Sequence, residues 1–219
     1  MGMILDAIDP GPREAAVEAA VRAVRAGQLV VLPTDTLYGI GADAFDSAAI
    51  ASLLAAKGRG RDMPVPVLVG SWETIDGLVT SVDQRTRDLV EAFWPGALTI
   101  VVEHARSLTW DLGDARGTVA LRMPLHPVAL ELLRTVGPMG VSSANRSGQP
   151  PAKTAEEART QLGDLVTVYL DAGPVAQGVA STIVDVTAQV PRVLRQGAVS
   201  LGELRRVVPD VQGSADAQG

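Results

Sequence analysis

Short aliphatic runs alternating with helically spaced segments constrain this chain more than any other feature. Leu29-Val30-Val31-Leu32, Leu98-Thr99-Ile100-Val101-Val102 and Thr118-Val119-Ala120-Leu121 read as strands, being brief, apolar and bounded by turn residues. Residues 12–26 carry Ala16, Val17, Ala20, Val21 and Val24 at helical spacing, with prolines at the start and Gly27 at the stop. The same signals predict helices near 46–57 (capped by Asp46 or Ser47), 71–79, 83–93, 127–136 and 155–162. Further strands are expected near 65–69, 139–142, 166–170, 181–186 and 192–195. Such alternation predicts an α/β domain built on a mixed, twisted sheet.

The 219 residues suit one domain, expected to span 1–209, with a small polar tail over 210–219 expected to be disordered. With 3% aromatic residues, the core must pack aliphatic side chains. No apolar run reaches bilayer-spanning length, and Met1 to Pro10 lacks a basic-then-apolar leader, so no membrane association and a cytoplasmic location are expected. The absence of cysteine excludes disulfides and thiolate sites, and two distant histidines, His104 and His126, argue against bound zinc. A net charge of −6 argues against a basic nucleic-acid-coating surface. Lys57, Arg59 and Arg61 reverse that sign locally, which suits a small anion better than a long polyanion.

Four polar loops follow predicted elements: 33–41, 57–64, 142–148 and 195–197. Ligands of open α/β sheets lie beyond strand ends, so these loops are candidates to share a pocket. Pro33-Thr34-Asp35-Thr36-Leu37-Tyr38-Gly39-Ile40-Gly41 places hydroxyls, a carboxylate and glycines directly after an apolar strand, with the glycines read as room for a substrate against the backbone. Lys57-Gly58-Arg59-Gly60-Arg61 is either a phosphate-binding loop or a solvated helix end. Arg122 ends a buried strand and needs a partner, either a ligand carboxylate or an internal aspartate. Ser142-Ser143-Ala144-Asn145-Arg146-Ser147-Gly148 reads as anion or base recognition, or as a capped turn. His126 is placed at a helix start without chemistry. The Gly39–Ala44 dinucleotide-like pattern sits too far from its strand, no phosphate-loop motif occurs, and Gly140–Ala144 only loosely mimics a nucleophile elbow.

Together these blocks resemble the YrdC-type threonylcarbamoyl-AMP synthases. The match runs through Pro33–Ala44, Lys57-Gly58-Arg59, Val119–Pro124 with His126-Pro127, Ser142–Gly148, Ser181–Asp185 and Val193–Gly197, or roughly residues 12–200. The resemblance implies a YrdC-like twisted mixed sheet with flanking helices and an open cavity on one side, in the short single-domain form. It implies an ATP-dependent nucleotidyltransferase that converts L-threonine, bicarbonate and ATP into threonylcarbamoyl-AMP and pyrophosphate for tRNA modification. Magnesium is expected with ATP, and no zinc or organic cofactor. By matched position, Lys57 and Arg59 are the catalytic candidates and hold the triphosphate. Thr118, Ser143, Asn145, Ser181 and Arg195 contact ATP; Thr36, Arg122 and Val141 contact L-threonine. A downstream tRNA threonylcarbamoyl transferase receives the product, with no requirement for tRNA contact. Met63, Leu68 and Pro151 depart from the pattern of many relatives. Met63 cannot make the hydrogen bond to ATP that an asparagine makes there, and Arg61 is expected to make it instead. Two other readings are an RNA-binding or ribosome-maturation module of this fold, and a carbamoyl-chemistry relative that uses another amine.

Overall fold

A computed structural model of the chain describes residues 2–175 and 178–214. The apolar runs become β1 (Met3–Asp6), β2 (Val30–Leu32), β3 (Gly39–Asp43), β4 (Val67–Leu68), β5 (Leu98–Glu103), β6 (Thr118–Arg122), β7 (Met139–Ser143), β8 (Val168–Asp171), β9 (Thr182–Asp185) and β10 (Arg192–Arg195). They form one mixed sheet in the order β1-β8-β2-β3-β7-β4-β6-β5-β9-β10. β2 and β8, β4 and β6, and β5 and β9 run parallel, whereas β3 and β7, β5 and β6, and β9 and β10 run antiparallel.

Seven helices cover the sheet among the described residues: α1 (Pro10–Arg25), α2 (Ser47–Lys57), α3 (Ile75–Leu78), α4 (Gln84–Phe93), α5 (Pro127–Val136), α6 (Ala155–Leu162) and α7 (Leu201–Val207). α2 starts where the Asp46 carboxylate accepts from Ala48 N and Ala49 N, both at 3.0 Å. One core cluster packs α1 and α5 on Val30, Leu32, Leu68, Met139, Val141, Val168 and Leu170. The other packs α2, α3, α4, α6 and α7 beneath the opposite face, on Val31, Ile40, Val67, Ile100, Leu121 and Val184 among others. Each large aliphatic side chain so buried contributes about 1.5–3 kcal/mol.

The first face is only half covered. Beyond β4, strands β6, β5, β9 and β10 turn Ala120, Val101 and Ile183 outward half-buried, and Leu194 is 51% exposed. Thr118 and Arg122 stand on this same side as Ala120, because alternate residues of a strand share a face. The open cavity expected on one side of the sheet is this uncovered half.

Three expectations are corrected. Gly39 and Gly41 belong to the buried strand β3 rather than to a ligand-facing loop. They lack side chains because neighbours fill the space: a β-carbon on Gly39 meets Val141 Cγ1 at 2.6 Å. β1 and α7 carry too little periodic apolar pattern to be foreseen, and α7 depends on a Ser200–Glu203 capping box. The disorder expected from Asp210 does not hold over 210–214. There Val211 is 1% exposed and Val193 N donates to Gln212 O at 2.9 Å, so the sheet edge holds this stretch. Residues 215–219 lie outside the described residues.

Candidate active site

Helix α2 delivers the first part of the site. Gly58 takes a left-handed conformation, with Gly58 N donating to Ala55 O and Arg59 N to Leu54 O, a double bond pattern that ends the helix and turns the chain back. Lys57, on the last turn, is 4% exposed. Its Nζ donates to Ser143 O at 2.5 Å and Asn145 O at 2.7 Å, with Ser143 Oγ at 3.5 Å and Asn145 Oδ1 at 3.4 Å. Burial, assisted by the nearby Arg59 charge, pulls this lysine down from 10.5 to about 8. Arg59 donates to Ser142 Oγ at 3.1 Å and Pro64 O at 3.3 Å, while its Nε is buried without a partner. The Asn145 amide nitrogen is used within its own loop, donating to Arg146 O and Gln149 O.

The second part gathers on Arg122, 7% exposed at the end of β6. Its Nε donates to Gly96 O at 2.9 Å, one terminal nitrogen to Thr36 Oγ1 at 2.8 Å, and the other to Asp35 Oδ1 at 2.6 Å. The internal aspartate is therefore present, and it decides what Arg122 is paired with in the free chain. Asp35 Oδ1 also accepts from Leu125 N at 2.8 Å. The loop after β2 is shaped by Thr34, whose hydroxyl donates to Leu37 O at 2.6 Å and accepts from Thr36 N and Leu37 N at 3.2 Å. Rooted between β2 and β3, the loop reaches across β7 and β4 to meet β6. Tyr38, fully buried, donates to Gly173 O at 2.7 Å and pins the loop's far end.

A β-bulge supplies the third part. Val193 stands opposite Val184, yet Arg195 rather than Leu194 stands opposite Ile183. That extra residue turns Arg195 onto the open face beside Ile183. Its guanidinium donates to Ser181 O at 2.9 Å and Ser181 Oγ at 3.2 Å, and Ser181 Oγ lies 2.8 Å from Thr99 Oγ1.

Mutual repulsion links the parts. Burial weakens the protonation of Arg59 and Arg122 most, Asp62 opposes it at Arg59 and Asp35 at Arg122, and the Arg195 charge adds a smaller weakening at both. Arg59 thus feels the charges of Lys57 and Arg195, and Arg122 that of Arg195; of these four cations only Arg122 has a described carboxylate within salt-bridge distance, Asp35 at 2.6 Å. Such a cluster is built to receive negative charge.

Thr118 stands four residues from Arg122 on the same face, its hydroxyl donating to Ala115 O at 2.8 Å. It lines an open hollow together with Pro64, Val65, Val101, Leu112 and Ala120. Val141 lies in β7 against Gly39, with its N–H donating to Pro66 O. The structure thus brings Lys57, Arg59, Ser143 and Asn145 into one group, Thr36 and Arg122 into another, and Ser181 and Arg195 into a third. Arg61 stands apart: its exposed guanidinium pairs with Asp111 at 2.7 and 3.0 Å, and it must leave that surface pair to stand in for an asparagine at position 63. Sequence context gives Asp35 no role; the signal that finds it is the need of a buried arginine for a counter-charge.

The Sua5/YciO/YrdC family model, described as telomere recombination, matches residues 22–197. A Mycobacterium tuberculosis protein with the provisional name threonylcarbamoyl-AMP synthase is 66% identical over 203 residues, covering 93% of this chain and 94% of its own length. The Pyrococcus abyssi threonylcarbamoyl-AMP synthase is 33% identical over 90% of this chain and 58% of its own. The structure of Pyrococcus abyssi Sua5 complexed with L-threonine matches with a TM-score of 0.93 at 31% identity, over 99% of this chain and 64% of that one. This chain therefore spans less than two thirds of the Pyrococcus protein. Escherichia coli YciO shares the fold, with a TM-score of 0.84 at 23% identity over 93% of this chain and all of that one. By the extent of these matches and by its ten-stranded sheet, the chain belongs to the Sua5/YciO/YrdC family, and it is an enzyme of that family.

Proposed function

We propose that this enzyme is an L-threonylcarbamoyladenylate synthase, a cytoplasmic nucleotidyltransferase that serves threonylcarbamoyladenosine modification of tRNA. The observation that carries the reading is the convergence of Lys57, Arg59, Arg195 and Arg122, with Asp35 alone among the described carboxylates at salt-bridge distance. ATP and a carbamoylated amino acid are both anions, and their reaction requires that they be neutralised and aligned. The name of the Pyrococcus relative and its complex with L-threonine support this choice of substrate.

In this reading Arg122 and Thr36 receive the threonine, bordered by Val141. Arg59, Arg195 and Ser181 line the path of the triphosphate, with Lys57 behind Ser143 and Asn145. The hollow at Thr118 has the aliphatic walls that suit a nucleobase. The threonine amine captures carbon dioxide from bicarbonate as a carbamate. A carbamate oxygen then attacks the α-phosphorus, and the bond to the bridging oxygen breaks to release pyrophosphate. Magnesium enters with the triphosphate, bridging its oxygens as part of the substrate. The product passes to a downstream tRNA transferase, and no described helix is long and apolar enough to cross a membrane.

The test is carbon tracing. With ¹³C-bicarbonate, L-threonine and ATP, mass spectrometry of the adenylate product is expected to find the label in the carbamoyl carbon. An adenylate without label, or labelled product formed equally well with other amino acids, overturns the assignment.

A further inference from the structure

Asp35 does more than balance a buried arginine. Its Oδ1 is fully used, accepting from Arg122 and from Leu125 N. Its Oδ2 accepts from none of the described residues and is absent from the buried unpaired atoms, so it keeps access to solvent in a side chain that is 17% exposed. Arg122 is in the complementary state. Of the five N–H donors of a guanidinium, three go to Gly96 O, Thr36 Oγ1 and Asp35 Oδ1, which leaves one on each terminal nitrogen. One donor on each terminal nitrogen and a free carboxylate oxygen therefore belong to two groups joined by a 2.6 Å ion pair. An α-amino acid zwitterion presents the matching pair, a carboxylate and an ammonium separated by one carbon.

We propose that Asp35 Oδ2 receives the α-ammonium group of the amino-acid substrate while Arg122 receives its carboxylate. This rests on the reading above that Arg122 binds the amino acid. The pair then selects for α-amino acids over other small carboxylates. It also places the nitrogen at a fixed point beside the open face, where carbon dioxide must reach it. Carbamoylation removes two protons from the ammonium, one to the hydroxide that leaves bicarbonate as water and one to solvent at the exposed Oδ2, and the nitrogen keeps one N–H, which still donates to Oδ2. The competing role is purely structural, with Asp35 acting only through Arg122.

The two roles separate with a ligand that lacks the amine. Equilibrium binding of L-threonine and of its 2-hydroxy analogue is compared on the full chain, in the wild type and in Asp35→Asn. A contact between charged partners makes the wild type prefer threonine by about tenfold or more. In Asp35→Asn that preference is expected to collapse, because an amide can present a donor to the ammonium, while ATP affinity stays within about threefold. Equal losses for both ligands, with the preference intact, overturn the proposal and leave Asp35 a positioning residue. Should the variant fail to fold, the wild type decides: equal binding of the two ligands overturns the proposal, and a tenfold preference upholds it. No binding of threonine or its analogue by the folded wild type defeats the synthase reading itself, a separate outcome.

Discussion

Lys57 is a buried ammonium held by carbonyl and side-chain oxygens, with no carboxylate among its hydrogen-bond partners. Its lowered value of about 8 against 10.5 fixes the sign of a pH effect. Below 8 the lysine is charged in both folded and unfolded chains, and the cost of burying it is fully present. Above 10.5 it is neutral in both. Between these limits the unfolded chain binds more protons, so this residue's contribution to stability improves as pH rises. The whole effect is as much as about 3 kcal/mol. Measured as the unfolding free-energy difference between wild type and Lys57→Met, it should move in favour of the wild type from pH 8 to 10. A pH-independent difference would place the lysine in a solvated setting instead. At this scale the sequence showed the cations Lys57, Arg59, Arg122 and Arg195 but not their neighbours. The Asp35–Arg122 pair joins residues 87 apart, and no local pattern announces it.

At the level of elements, caps and loops rather than sheet interiors decide where the site groups stand. α2 and α5 were legible because Asp46 and Pro127 mark their starts. β3 was not, because Gly-Ile-Gly-Ala lacks β-branched bulk on one face, and the missing volume is supplied by Val141 from β7. The bulge that aims Arg195 is equally silent in sequence. Its support is testable at Gly197, where a β-carbon would collide with Ala180 O and lie 2.6 Å from Ser181 O. Gly197→Ala must displace the carbonyl that receives Arg195. Overpacking of this kind costs about 1–3 kcal/mol of stability. We expect the KM for ATP to rise as well, while threonine affinity changes little. Steady-state kinetics with each substrate varied check this, and a loss confined to threonine would contradict the placement of Arg195.

For the molecule as a whole, charge and topology pull in opposite directions. With 25 acidic and 19 basic side chains the chain repels anions at a distance, yet Arg122 and Arg195 stand on the half of the sheet that no helix covers, with Arg59 and the end of α2 at Lys57 beside them. Bulk composition excluded a basic nucleic-acid surface but could not locate this local reversal, since it arises only when α2, β6 and β10 converge. The central claim is that this face joins two anionic reactants rather than binding one. Pyrophosphate release from ATP, measured with each substrate omitted in turn, tests it most directly. The account predicts release only when threonine and bicarbonate are both present, and its loss in Arg122→Met. Release that continues at the same rate without threonine would contradict it.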